Sequence, residues 1–191
     1  MRAMTTYTAF DGHRLIASGP LPLVAEQCKS LLDEHPDAQP IIYDDTTGRS
    51  RDVDYRGALQ EVLGRLMSPE PDAPVKRGPG RPRLGVVARE VTLLPRHWDW
   101  LAAQPGGASV ALRRLVETAS RDAAPADRRR QRREAVDRVM FALAGDLPHY
   151  EEASRAFHRH EPERFAEWIA AWPDDVRDYV TTLATRAEGA E

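Results

Sequence analysis

The sequence predicts an α+β fold on three observations. Short alternating runs flank Asp11-Gly12 and Asp44-Asp45-Thr46-Thr47-Gly48 in the first third, a strand-like run leads into two helical stretches in the middle, and apolar stripes of helical period fill the last third. The order is a small N-terminal antiparallel ββαββα module over residues 1–67, a linker over 68–85, a central strand–helix–helix unit over 86–122 and a C-terminal helical bundle over 127–188.

Tyr7-Thr8-Ala9-Phe10 and His13-Arg14-Leu15-Ile16-Ala17-Ser18 alternate as strands do, and Asp11-Gly12 between them suits a tight hairpin turn. Val24, Cys28, Leu31 and Leu32 then recur at helical spacing until His35-Pro36, which predicts a helix over about 22–34. Pro40-Ile41-Ile42-Tyr43 reads as a third strand and Ser50-Arg51-Asp52-Val53-Asp54-Tyr55 as its antiparallel return. A helix over about 57–67 carries Leu59, Val62, Leu63 and Leu66 on one side. Asp44, Asp45, Asp52 and Asp54 lack the register of a calcium loop and its closing bidentate glutamate, so they read as an acidic hairpin.

Between Ser68 and Pro82 the chain holds Pro69, Pro71, Pro74, Pro79 and Pro82 with little apolar content, which predicts an extended linker. Ala88-Arg89-Glu90-Val91-Thr92-Leu93-Leu94 then alternates like a strand. Pro95 opens a helix whose apolar face holds Trp98, Leu101 and Ala102. Gly106-Gly107 breaks it, Ser109 is placed to cap a second helix, and Val110, Leu112, Leu115, Val116 and Ala119 continue at helical spacing.

Ala123-Ala124-Pro125-Ala126 is expected to interrupt that helix, with Asp127 capping a new one that ends at Gly145 and buries Val136, Val139, Met140 and Leu143. Helices over about 148–159, 162–171 and 174–187 follow, divided by Glu161-Pro162 and Trp172-Pro173. Phe165, Trp168, Ile169 and Trp172 form one core stripe, and Val176, Tyr179, Val180 and Leu183 another.

The net charge of −3 conceals a block structure. Residues 1–74 hold 7 Arg/Lys against 12 Asp/Glu, residues 75–133 hold 14 against 5, and residues 134–191 hold 6 against 13, which gives −5, +9 and −7. A basic stretch between acidic flanks attracts a polyanion, because each neutralised phosphate releases condensed counterions. Acidic flanks folding back on the basic stretch would neutralise it within the molecule instead.

Within the basic block, Lys76-Arg77-Gly78-Pro79-Gly80-Arg81-Pro82-Arg83 resembles the AT-hook, a short peptide that lies in the narrow minor groove of A·T-rich DNA. Glycine allows close approach to the groove floor, proline keeps the chain extended, and arginine is drawn to the enhanced potential there. The Gly80, Arg81 and Pro82 core matches and Lys76, Arg77 and Arg83 supply phosphate contacts, but Pro79 stands where the motif has a second arginine.

The strand–helix–helix pattern over about 86–121 resembles the ribbon-helix-helix family, whose two-stranded intermolecular ribbon enters the major groove. So short a unit cannot bury its own apolar face, which favours an intertwined homodimer. The resemblance implies a dimer core of Val91, Leu93, Trp98, Leu101, Leu112 and Leu115, with Ala88, Glu90 and Thr92 turned toward base edges. It places Ser109 and Val110, at the start of the second helix, on the DNA backbone. Arg89 lies on the opposite face from the base readers, Arg113 and Arg114 add charge or form a solvated face, and the same two readings apply to Arg128 through Arg133. Trp98 and Trp100, two apart on a helix, point different ways and do not form a stacking platform.

The whole chain, and most clearly Gly80-Arg81-Pro82-Arg83-Leu84-Gly85-Val86-Val87-Ala88-Arg89-Glu90-Val91-Thr92-Leu93-Leu94-Pro95-Arg96-His97-Trp98-Asp99-Trp100-Leu101, resembles a bacterial family catalogued only as domain of unknown function 2239. That resemblance implies a bacterial relative over the full length and names no activity.

The expectation is a homodimeric DNA-binding protein, a transcriptional regulator or nucleoid-associated factor, with double-stranded A·T-rich DNA and a second copy of itself as partners. An unidentified protein or small-molecule effector is a further partner class. The alternative is a non-catalytic interaction dimer in which the strand–helix–helix unit only dimerises. His158 and His160 sit two apart without an HExxH arrangement, and GxSxG, Walker A and dinucleotide-binding patterns are missing from the sequence, so no catalytic residue, metal or cofactor is expected. The single cysteine, Cys28, forms no intrachain disulfide and suits a reducing compartment. No stretch approaches the ~20 apolar residues that span a bilayer, and Met1 to Thr5 lack a signal-peptide core, so a cytoplasmic, nucleoid-associated location is expected whether Met1 or Met4 is the start.

Overall fold

A computed structural model describes residues 5–67, 87 and 89–189. Its first part follows the expected ββαββα order: β1 (Tyr7–Asp11), β2 (Arg14–Gly19), α1 (Leu21–Glu34), β3 (Pro40–Asp44), β4 (Ser50–Arg51) and α2 (Leu59–Met67). The four strands make one antiparallel sheet in the order β2-β1-β3-β4. Both hairpins lie where Asp11-Gly12 and the 44–48 turn put them. The pairing of β1 with β3, Tyr7 opposite Asp44 through Asp11 opposite Pro40, carries the chain back across α1.

β4 is shorter than the expected strand over 50–55. The Asp54 carboxylate accepts the Arg56 backbone N–H at 3.1 Å and its guanidinium at 2.8 Å, and this local bonding competes with a continued ladder. Those hydrogen bonds, first among the causes, hold the Asp54 pKa well below the ordinary carboxylate range. The other acidic residues of the hairpin have structural uses as well. Asp44 accepts the N–H groups of Thr46 and Thr47 at 2.8 and 3.0 Å, and Asp45 accepts the Tyr179 hydroxyl at 2.8 Å.

The remaining elements are helical: α3 (Pro95–Ala102), α4 (Gly107–Ala144), α5 (Tyr150–His158), α6 (Pro162–Ile169) and α7 (Asp174–Glu188). The chain divides into two compact units, residues 1–69 with 127–191 and residues 70–126. The segments read as an N-terminal α+β module and a C-terminal bundle thus belong to one unit.

They share one core. Phe10 and Tyr43 from the sheet are buried with Val136, Val139 and Met140 of α4, Phe157 of α5, Ile169 of α6, Trp172, and Val176 and Val180 of α7. The Phe10 and Tyr179 rings sit 5.3 Å apart, Arg138 Nη1 donates to the Thr47 carbonyl at 2.6 Å, and the Leu15 N–H donates to Asp175 at 2.8 Å. Gly48 is fixed by the same packing. Its φ is +65°, and a Cβ there would lie 2.3 Å from the Ala135 carbonyl oxygen, so no other residue fits without moving the backbone. Cys28 is buried with Ala9, Val24 and Ile42 between α1 and the sheet, and burial pushes its thiol pKa up.

Two expectations are corrected in α4. The helix does not stop at Ala123-Ala124-Pro125-Ala126: it continues with Pro125 inside it, because three alanines of high helix propensity flank a residue that removes only one backbone donor. Asp127 is therefore not a cap but an interior residue, and its carboxylate takes Arg130 at 2.8 Å. Among the described residues no helix is long and apolar enough to cross a membrane.

Candidate nucleic-acid interface

Within the 70–126 unit, Leu94 is extended, at φ −67° and ψ 150°. Pro95 follows at the first helical position, where its missing N–H costs nothing and its fixed φ already suits a helix. The Leu94 carbonyl accepts the N–H groups of His97 and Trp98 at 2.8 and 3.3 Å. After α3, the Gln104 side chain donates to the Trp100 carbonyl at 3.2 Å, and its own carbonyl accepts the Gly107 N–H at 2.9 Å. Gly106 turns the chain at φ +84°, with the Val110 side chain close enough that an added Cβ would meet it at 3.0 Å. That turn needs glycine, and it sets where α4 begins.

Of the strand expected over 88–94, none forms among the described residues: 87 and 89–94 have no ladder partner. Ser109 is also displaced from its expected role: α4 starts at Gly107, so Ser109 lies inside the first turn rather than at the cap, and its carbonyl accepts Arg113 Nε at 3.1 Å. Ser109 and Val110 do stand among the first-turn N–H groups that a helix leaves without intrahelical partners.

Glu90 and Thr92 are exposed. Of the residues assigned to a dimer core, Leu101 alone is buried, at 3%; Leu93 and Leu112 are half-buried, and Val91, Trp98 and Leu115 are exposed at 57%, 41% and 44%. Val87, Leu94, Trp100, Val110 and Val116 join the exposed set. Leu94 and Val116 were outside the expected core, although both are apolar residues beside members of it. Lys76, Arg77, Gly80, Arg81, Pro82, Arg83 and Ala88 lie outside the described residues.

The positive charge of the middle block is unevenly placed. Residues 76–83 hold 4 Arg/Lys and no Asp/Glu, residues 87–126 hold 5 against 4, and residues 127–133 hold 5 against 1. The last group is largely engaged within its own unit. Arg129 pairs with Glu188 at 3.1 Å, Arg132 donates to the Arg186 carbonyl at 3.1 Å, and Arg133 pairs with Glu188, donates to the Phe157 carbonyl at 3.0 Å and stacks 4.5 Å from the centre of the Phe157 ring. His160 completes the cluster, with Nδ1 3.0 Å from Glu188. The sequence gives no sign of this cluster, because its members come from three separated stretches of chain.

The chain belongs to the bacterial family described as "Uncharacterized protein conserved in bacteria (DUF2239)", whose model matches residues 6–184. No curated protein and no solved structure matches it.

Proposed function

We propose that this family member is a homodimeric DNA-binding protein, a transcriptional regulator or nucleoid-associated factor, in which residues 76–83 enter the minor groove of A·T-rich DNA and two copies of the 88–94 segment pair as a ribbon in the major groove. The observation that carries the reading is the number of exposed apolar side chains among the described residues of 87–116. Eight large hydrophobic side chains of that short stretch are exposed: Val87, Val91, Leu94, Trp98, Trp100, Val110, Leu115 and Val116. A segment with no ladder partner followed by two helices with uncovered apolar residues is consistent with half of an intertwined dimer.

In this reading Val91, Leu93, Trp98, Leu101, Leu112 and Leu115 meet their counterparts across the dimer axis. Ala88, Glu90 and Thr92 face base edges, and Ser109 and Val110 hold phosphate. Because 87–126 is nearly neutral, most of the attraction to phosphate comes from Lys76, Arg77, Arg81 and Arg83.

Binding of the full-length protein to A·T-rich duplex at about 50 mM salt tests this. Micromolar or tighter association that weakens steeply with added salt, and that is lost in large part in Arg81→Ala, is expected; no detectable association with any duplex at that salt overturns it.

A second reading is favoured by the engagement of Arg129, Arg132 and Arg133 within their own unit, which withholds part of the basic block from DNA. There the strand–helix–helix unit dimerises without touching DNA and the acidic surfaces recruit a protein. It predicts a dimer that survives deletion of 76–83 and a partner recovered by pull-down free of nuclease-sensitive material.

A further inference from the structure

A hollow of about 500 Å³ lies between the β1–β2 turn, β3 and the C-terminal end of α4. Phe10, Tyr43 and Phe141 give it three aromatic rings, Ile41 and Leu143 aliphatic walls, and Asp146 a carboxylate. The volume falls within the range of small-molecule sites, and an aromatic and aliphatic body with few polar groups is their usual lining. All of these residues belong to the 1–69 and 127–191 unit, so the site makes no use of the residues assigned to DNA.

The polar groups of the lining favour one sign of charge. Asp146 is exposed and has neither an ion pair nor a side-chain hydrogen bond among the described residues. It stands two residues beyond Ala144, the end of α4, and the last carbonyls of a helix carry partial negative charge. No lysine or arginine lines the hollow, and His13 is its one nitrogen base. Arg49 and Arg138 line the adjoining hollow instead, and Arg138 already pairs with Glu134 at 2.9 Å and donates to the Thr47 carbonyl at 2.6 Å. Phe141 is 72% exposed, although Leu143 and Ala144 beside it in α4 are buried. Tyr43 is 4% exposed, and its hydroxyl has no hydrogen-bond partner among the described residues. Such rings present a negative face to whatever enters.

We propose that this hollow binds a small alkylated ammonium compound, its cation against the Phe141 and Tyr43 rings and beside the Asp146 carboxylate. Charge complementarity selects a cation, because the one ionised side chain of the lining is an unpaired carboxylate at a helix C-terminus. The rings select a weakly hydrated cation, since aromatic faces replace water around an alkylated nitrogen. A metal ion needs several oxygen or nitrogen ligands, and these side chains offer one carboxylate and one imidazole besides the phenol. An anion would be repelled by Asp146 and by the end of α4.

The test is thermal unfolding of the full-length protein with choline, against 3,3-dimethyl-1-butanol, which has the same shape without the charge, and 3,3-dimethylbutanoate, at equal concentration and matched ionic strength. Choline is expected to raise Tm saturably, by about 4 °C at ten times its Kd, while the alcohol and the carboxylate do not. Ala142→Trp fills the hollow from an exposed position and is expected to abolish the shift. Asp146→Asn removes the charge and Phe141→Leu removes a ring while keeping an apolar side chain. Both residues are exposed, so the fold is kept, and each change is expected to weaken choline about two- to fivefold. Choline acting no more strongly than 3,3-dimethyl-1-butanol, an undiminished shift in Ala142→Trp, or unweakened binding in both Asp146→Asn and Phe141→Leu overturns the proposal.

Discussion

The two units treat the same kinds of side chain in opposite ways. In the unit formed by 1–69 and 127–191, Val139, Met140, Val176 and Val180 have no exposed surface, and a sheet and four helical stretches close over them. In the 70–126 unit, Leu101 and Ala111 are the buried residues among those described, while eight large hydrophobics face outward. The first unit has enough secondary structure to cover its own apolar surface; the described residues of the second supply two helical stretches, which is too little. A lone chain therefore completes one core and leaves apolar residues of the other exposed, which the proposed second copy would cover.

That contrast breaks most readily at the centre of the closed unit. Trp172→Ala removes a buried ring and its 2.8 Å hydrogen bond to the Pro148 carbonyl. A loss of about 3 to 5 kcal/mol is expected in urea unfolding, independent of protein concentration. Leu93→Lys carries the same logic to the open unit, where a charge in the intersubunit core costs several kcal/mol of association. Sedimentation should show a monomer while the near-ultraviolet signal of the closed unit is retained; a stable dimer removes the ribbon arrangement.

Gly48→Ala sharpens the contrast at a single contact, since the new methyl collides with the Ala135 carbonyl at an unfavourable φ. About 1 to 3 kcal/mol of stability should be lost in the same urea titration, with dimerisation unchanged. Tyr179→Phe removes the donor to Asp45, and about 1 kcal/mol is expected.

The smallest effect is in pH dependence. The Glu188 pKa is held below its ordinary value of 4.5, so its contribution to stability is present above that value and is lost as pH falls through the lowered folded value. Glu188→Gln should lower the neutral plateau of a stability–pH profile and flatten its acid side.

Much of the closed unit was legible locally. The Asp11-Gly12 hairpin, the helix through Val24 and Cys28, and the stripes from Val136 to Leu143 and from Phe165 to Trp172 each follow from residues within a few turns of one another. What escaped depends on distance in the chain. The β1–β3 pairing, the Tyr179 bond to Asp45 across 134 positions and the cluster around Glu188 have no local signature. Pro125 misled for a different reason: a proline reads as a stop, but the alanines around it carried α4 through. At the candidate interface, the pattern located the helices and the Gly106-Gly107 break, while the strand-like alternation gave no strand in 89–94.

Sedimentation velocity on the full-length protein with a labelled A·T-rich duplex, at about 50 mM salt, joins the open apolar face to DNA in one observation. Two protein chains on one duplex, dissociating as salt rises and absent in Leu93→Lys, is the expected result. Free duplex beside free protein, or a single chain bound with Leu93→Lys behaving identically, would contradict it.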